Sequence, residues 1–268
     1  MKPLAGKYGA VFRTQWKSLL EYKMNIWLKL VRPLVMVAAM GALWMVVFSV
    51  TGRERIGGLD RESFVLYLLV IRYVAVFSPG GASIAEMNEE IRTGNIMMRL
   101  VRPVHYLVWL FARNLPVPLF SGLVGLGALT GLAWLTGAHV PSGWQAGLFV
   151  LSVAGAVMVQ YAIFQGIGVL SFWMYEVFPI ERFYRTVGSL LSGEMVPLTV
   201  FGESARWVLQ FLPFATVAFI PGGIYTGMFG AGEAAMLVGC QFAWGAVLWT
   251  VVVWLYNRGL QKFEAQGG

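Results

Sequence analysis

Charge is what this chain has least of. Only 12% of its 268 residues are Asp, Glu, Lys or Arg, about half the roughly 25% of a soluble domain. With 58% hydrophobic residues and a mean hydropathy of +0.68, that scarcity excludes a soluble globular domain and a disordered chain alike. Cysteine is nearly absent: Cys240, the single one, sits in an apolar run, so there is neither a disulfide framework nor a thiolate metal site. The two histidines, His105 and His139, lie far apart in sequence and make a His-based metal cluster a poor reading. No G-x-x-x-x-G-K-[ST] occurs, so ATP is not held here in the P-loop manner. The absence of G-x-S-x-G, H-E-x-x-H and C-x-x-C leaves enzymes of those types without support. No Ser- or Pro-rich linker divides the chain and no solenoid repeat is visible, so residues 1–268 read as one domain.

What is present in abundance is apolar sequence of membrane-crossing length. About 20 apolar residues cross a hydrocarbon core of about 30 Å. The pattern predicts an all-α polytopic membrane protein with six spans, near residues 33–51, 63–85, 115–136, 146–175, 186–200 and 234–256. Residues 8–31 precede them as an amphipathic helix. Tyr8, Val11, Phe12, Trp16, Leu19, Ile26, Trp27 and Leu30 form its apolar stripe, opposite Arg13, Lys17, Glu21 and Asn25. An aromatic face opposite basic residues describes a helix lying in the headgroup layer. Seven Lys or Arg residues before the first span argue against a cleavable signal peptide. Gly122, Gly125, Gly127 and Gly131 permit close helix approach in the third span, with Gly127 and Gly131 forming a GxxxG step. The glycine- and proline-broken stretch 201–232 predicts re-entrant or interfacial helices before the last span, since irregular backbone survives at membrane depth only when shielded. Residues 176–185 read as a charged loop and 257–268 as a polar tail.

One polar island interrupts this pattern. Across residues 86–102, Glu86, Glu89 and Glu90 come first and Arg92, Arg99 and Arg102 follow. A short helix over 82–92 is expected to stop at Gly94 or Asn95, both tolerant of the left-handed conformation that ends helices. Pro103 suits the first turn of the next helix. Either a docking element or a plain charged loop fits this composition.

Orientation follows from the basic residues. Of 20 Lys and Arg, fifteen fall on the side holding both termini and the 86–113 region, four on the other, and Arg72 lies within a span. That asymmetry places both termini and the polar island in the cytoplasm. It assigns the net charge of +7 to anionic lipid rather than nucleic acid. Arg72 and Glu194 are the unusual residues, because intramembrane charges are costly and are usually paired or functional. Their depths match, so they can pair; equally, Arg72 can snorkel or line a wet cavity while Glu194 is protonated. Trp44, Trp134, Trp144, Trp207 and Trp249 fit interfacial belts.

Glu90-Ile-Arg-Thr-Gly-Asn-Ile96 followed by Leu100-Val-Arg-Pro103 resembles the loop between the second and third spans of ABC-2 type transporter permeases. Within that family it is most similar to the exporter-like branch, whose six-span subunits carry no ATPase. The likeness extends to Trp16-Lys-Ser-Leu-Leu-Glu-Tyr-Lys-Met-Asn25, Leu212-Pro-Phe214 and Pro221-Gly-Gly-Ile-Tyr-Thr-Gly227. It implies a coupling segment over 86–102, in which Glu86, Glu89, Glu90, Ile91, Arg92, Thr93, Gly94, Asn95 and Ile96 dock a cytoplasmic ABC ATPase. It further implies a second permease, the same or related, in the cell (inner) membrane. No cofactor is bound by this chain on that reading; ATP and Mg belong to the partner. The family's fifth span usually carries a small or apolar residue near Glu194, which is therefore particular to this chain. The implied activity is ATP-driven export of a lipophilic, drug-like, lipid or polymer substrate. A membrane anchor or scaffold without transport is the alternative. An ion-coupled carrier ranks below it, because such carriers are built from inverted repeats and only Glu194 offers an intramembrane carboxylate.

Overall fold

In a computed structural model, which describes residues 4–21, 23–76, 82–136 and 140–265, the chain is mostly helical. Two helices open it, α1 (Leu4–Glu21) and α2 (Lys23–Thr51). The amphipathic helix expected over 8–31 is thus divided. Its second half is continuous with the first apolar span, and Pro33 lies inside α2 rather than at its start. α1 packs along α6 and α7, where Trp16 meets Phe120 with ring centroids 6.0 Å apart.

A two-stranded hairpin, β1 (Arg55–Ile56) and β2 (Leu59–Asp60), separates α2 from α3 (Arg61–Val76). Gly57 and Gly58 turn it with φ of +61° and +83°, the left-handed pair that two-residue hairpins require. The purely helical expectation omitted this element. Asp60 then accepts hydrogen bonds from Ser63 and caps α3, which holds its carboxyl below the usual carboxylate range.

After α3 come α4 (Ala82–Arg92), α5 (Ile96–Leu100), α6 (Tyr106–Asn114) and α7 (Pro116–Thr136). Helix α4 has the bounds expected, ending before Gly94 at φ +73°. Pro103 does not begin the next helix. It lies in the turn of residues 101–104, and α6 starts at Tyr106. The third apolar segment therefore begins earlier than residue 115, with a bend at Leu115 ahead of Pro116, where proline removes a helical hydrogen bond.

α8 (Gly143–Val169) opens with Ser142, whose backbone N–H donates to Gln145 Oε1 at 2.7 Å. The expected loop at 176–185 is instead mostly helical: α9 runs Phe178–Leu191, with Pro179 in its first turn. Nor is 186–200 one continuous helix, because α9 ends at Leu191 and Gly193 takes φ +80°. The short helices α10 (Glu203–Leu209) and α11 (Phe219–Tyr225) follow, and α12 (Ala231–Ala265) continues into the stretch read as a polar tail.

Among the described residues, three helical stretches are long and apolar enough to cross a membrane: Tyr106–Gly131, Gly143–Phe172 and Ala231–Phe263. The second and third pack together as the most extensive helix pair, α8 against α12. Glycines on both sides permit that approach. Gly155 and Gly166 of α8 face Gln241 and Val252, while Gly245 and Gly259 of α12 face Met158 and Phe172. Small residues serve this purpose where lipid supplies no hydrophobic drive. The expected GxxxG step on α7 has open space beside both Gly127 and Gly131.

The broken stretch 211–226 keeps its backbone polar groups bonded from outside. Trp244 Nε1 donates to the Phe211 carbonyl at 2.7 Å, and Gln241 Nε2 to the Thr216 carbonyl at 2.7 Å. Every residue of α11 is buried, with Gly222 against Tyr67 and Ile71. Trp134, Trp144 and Trp207 are exposed as belt residues should be. Trp44 is instead buried against Phe64, and Trp249 donates to the Met158 carbonyl at 3.1 Å, so these two do not fit the belt reading.

Candidate functional site

Two places carry the polar chemistry: the segment α4–α5 and the turn that follows α9. In α4 the apolar residues recur at three- and four-residue spacing, and the helix they form has two faces. Ser83, Ile84, Met87, Asn88 and Ile91 point inward, while Glu89, Arg92 and Thr93 are exposed. Thr93 closes the helix through its backbone N–H to the Glu89 carbonyl at 2.9 Å, and its hydroxyl donates to the same oxygen at 2.7 Å. Gly94 then reverses the chain, and α5 folds back so that Ile96 joins Met87 and Ile91 in a core with Tyr106, Val252 and Tyr256.

This burial corrects the role expected of Ile91 and Ile96. As apolar anchors for a partner they would face outward, yet they are only 4% and 0% exposed inside the chain's own core. The apolar side chains that face outward are Met97, Met98 and Val101, the last two 70% and 86% exposed. Sequence reasoning missed them because residues of α12, at the far end of the chain, bury Ile91 and Ile96. The signal available was α4's amphipathic spacing, which puts Ile84, Met87 and Ile91 on one face.

The charged residues divide in the same way. Glu90 accepts from Arg99 at 2.8 Å, and Glu86 pairs with Arg113. Trp109 lies between the two arginines, whose guanidinium carbons stand 4.2 and 5.2 Å from its ring centroid. Burial pushes the Glu86 carboxyl above its usual range, and the Arg113 charge opposes that shift. Glu86 and Glu90 therefore brace α4 against α5 and α6. Arg92 stacks 3.9 Å over the Tyr175 ring, contacts its hydroxyl and reaches Glu176 at 3.4 Å, which ties α4 to the turn after α8. On the other flank, the His105 backbone N–H donates to the Tyr8 hydroxyl of α1 at 2.9 Å. Asn95 is exposed just before α5. The segment is thus clamped to α1, α6, α8 and α12 while one face stays open.

The structure also brings Arg72 and Glu194 together. Gly193 follows α9 in the left-handed region, and its carbonyl accepts from the Tyr67 hydroxyl at 3.5 Å. That turn sets Glu194 beside Arg72 of α3, where Arg72 Nη1 donates to Glu194 Oε1. Their side chains are 14% and 20% exposed, so the pair is largely withdrawn from solvent. Glu181 and Arg185, expected in a solvated turn, instead form an i, i+4 pair at 2.8 Å on α9 with Glu181 buried.

No curated protein matches the chain. A family model described as ABC-2 family transporter protein matches residues 34–267, nearly the whole chain and both polar regions just described. The chain belongs to the ABC-2 family of transporter membrane proteins, as a permease.

Proposed function

We propose that this chain is the membrane subunit of an ABC-2 exporter, driven by an ABC ATPase on a separate chain that docks on the open face of α4–α5. The observation that carries the reading is the contrast across this segment. One face is locked into the chain's own core, and the other presents Met98 and Val101 beside Arg92, Thr93 and Arg102. A rigid element with an apolar centre and a charged rim is what a force-transmitting contact needs. On this reading ATP and Mg stay with the partner. Both termini and α4–α5 face the cytoplasm, as the fifteen-to-four distribution of basic residues requires. The short helices α3 and α9 complete six crossings with α2, α6–α7, α8 and α12. A second permease, the same or related, supplies the rest of the pathway, and the substrate is lipophilic.

The test is co-purification. Tagged chain carrying Met98→Asp and Val101→Asp should insert into membranes normally but no longer retain a vanadate-sensitive ATPase that the native chain retains. If the ATPase stays bound and active with both substitutions, the docking face is elsewhere. If the native chain retains none, the scaffold reading replaces this one.

A further inference from the structure

Beside the Arg72–Glu194 pair lies a cavity of about 200 Å³ between α3, α8, α9 and the stretch before α11. The proposed transport role does not specify its contents; its walls do. Phe164, Tyr184 and Phe214 form an aromatic side, with Tyr184 5.6 Å from Phe164 and 5.9 Å from Phe214 between ring centroids. Gln160, Ser189, Ser192 and Glu194 form the polar side.

The hydrogen-bond inventory of that polar side leans toward acceptors, although the Gln160 amide both donates and accepts. The Ser189 hydroxyl spends its proton on the Thr186 carbonyl at 2.9 Å, and Ser192 spends its own on the Ser189 carbonyl at 3.4 Å. Both oxygens keep lone pairs for an occupant. Glu194 gives one carboxylate oxygen to Arg72 and retains the other. Arg185 also lines the cavity, but its Nε and one terminal nitrogen are both engaged by Glu181 at 2.8 Å. Its guanidinium stacks 4.7 Å over Phe164. What remains on offer is mostly acceptor, with a carboxylate at one end and aromatic faces alongside. An ammonium group donates in several directions and is attracted to aromatic faces, so it matches both features.

We infer that this cavity binds a protonated amine carrying an aromatic or hydrocarbon body, with the ammonium on Glu194, Ser189 and Ser192 and the body against Phe214 and Tyr184. The cavity volume suits a single small aromatic amine or the amino headgroup of a lipid. By the charge-based orientation, α3 and α8 both end toward the cytoplasm, and Ala75 and Phe164 place the cavity near those ends. It therefore lies toward the side from which an exported substrate is loaded. That consequence rests on the export reading, whereas the binding itself does not.

The experiment measures binding of radiolabelled 2-phenylethylamine to the purified full chain in phosphatidylcholine nanodiscs, with empty discs subtracted and no ATPase present. Unlabelled phenylethylamine should compete, while the neutral 2-phenylethanol and the anionic 3-phenylpropionate should compete at least tenfold less well. Nanodiscs containing phosphatidylethanolamine distinguish the two sources. Weakened amine binding there means that the lipid headgroup occupies the site, and unchanged binding means that the free amine is preferred. Because Glu194→Gln alone leaves Arg72 unpaired, the informative variant is Arg72→Gln with Glu194→Gln, which keeps a neutral pair and should lose at least tenfold in affinity. The exchange of Arg72→Glu with Glu194→Arg should turn preference toward phenylpropionate. Equal competition by all three probes, or native affinity in the neutral pair, overturns the assignment. Such a result, with ATPase co-purification intact, leaves the permease reading standing, and the converse pattern separates the two in the other direction.

Discussion

Two regions of the protein each contain arginine–glutamate pairs, and the surroundings give them different work. Around α4–α6, Arg92–Glu176 and Arg113–Glu86 have arginines about a third exposed, and Arg99–Glu90 is stacked on Trp109. Water screens the most exposed of them, Arg92–Glu176, which contributes about 0–1 kcal/mol. Their shared value is geometric: several clamps hold a helix that keeps one face open. Arg72–Glu194 is a single pair whose side chains are largely withdrawn from solvent. There a lone charge is expensive, so the pair behaves as a unit. The same chemistry is thus a positioning device at one site and an all-or-none joint between α3 and the α9 turn at the other.

That contrast predicts unequal double-mutant cycles, which give the largest expected effect. Arg72→Ala or Glu194→Ala alone should destabilise by about 3–5 kcal/mol, because the abandoned partner stays withdrawn from water, and the double variant should recover part of the loss. The same cycle on Arg92 and Glu176 should yield a coupling of about 0–1 kcal/mol. Thermal unfolding in detergent measures both. Additive losses at Arg72–Glu194 would erase the distinction between the two regions.

A smaller effect sharpens the account of α4–α5 itself. Ile96→Ala removes a fully buried side chain and should cost about 2–5 kcal/mol. Met98→Ala, two residues on, should stay within about 0.5 kcal/mol of the native chain, as exposed positions do. Thermal unfolding of the two variants gives both values. Similar losses at both positions would mean that the segment does not have one packed and one open face.

The two regions also differ in how much of them is legible in the sequence. Helix α4 is legible to its last residue, because Gly94 is a local stop signal and needs nothing distant to act. The joining of Arg72 and Glu194 is open to sequence reasoning as a matter of matched depth and opposite charge. The direction in which Ile96 points is not, since Tyr256 and Val252 help bury it from the far end of the chain, whereas the spacing of α4 puts Ile91 on the face of Ile84 and Met87. Helix α9 hides behind Pro179 and four charged residues, which together look like a breaker. In a first helical turn, however, proline is tolerated, and Glu181 pairs with Arg185 one turn on. The Gly57–Gly58 hairpin and the Ser142–Gln145 cap have clear local signatures. Apolar run length, the strongest signal in this chain, masks both. Run length also sets the wrong start for the third segment, as Arg113 and Asn114 interrupt hydropathy while still lying in the last turn of α6.

On the proposed docking mode Met98 faces the partner while Ile96 faces the chain's own core. Single cysteines at these positions, Met98→Cys and Ile96→Cys, each in a Cys240→Ser background, would be treated in native membranes with a short thiol-to-amine cross-linker. Met98→Cys is expected to form a cross-linked product with an ABC ATPase subunit, and Ile96→Cys none. Cross-linking from Ile96→Cys with none from Met98→Cys would contradict that docking mode.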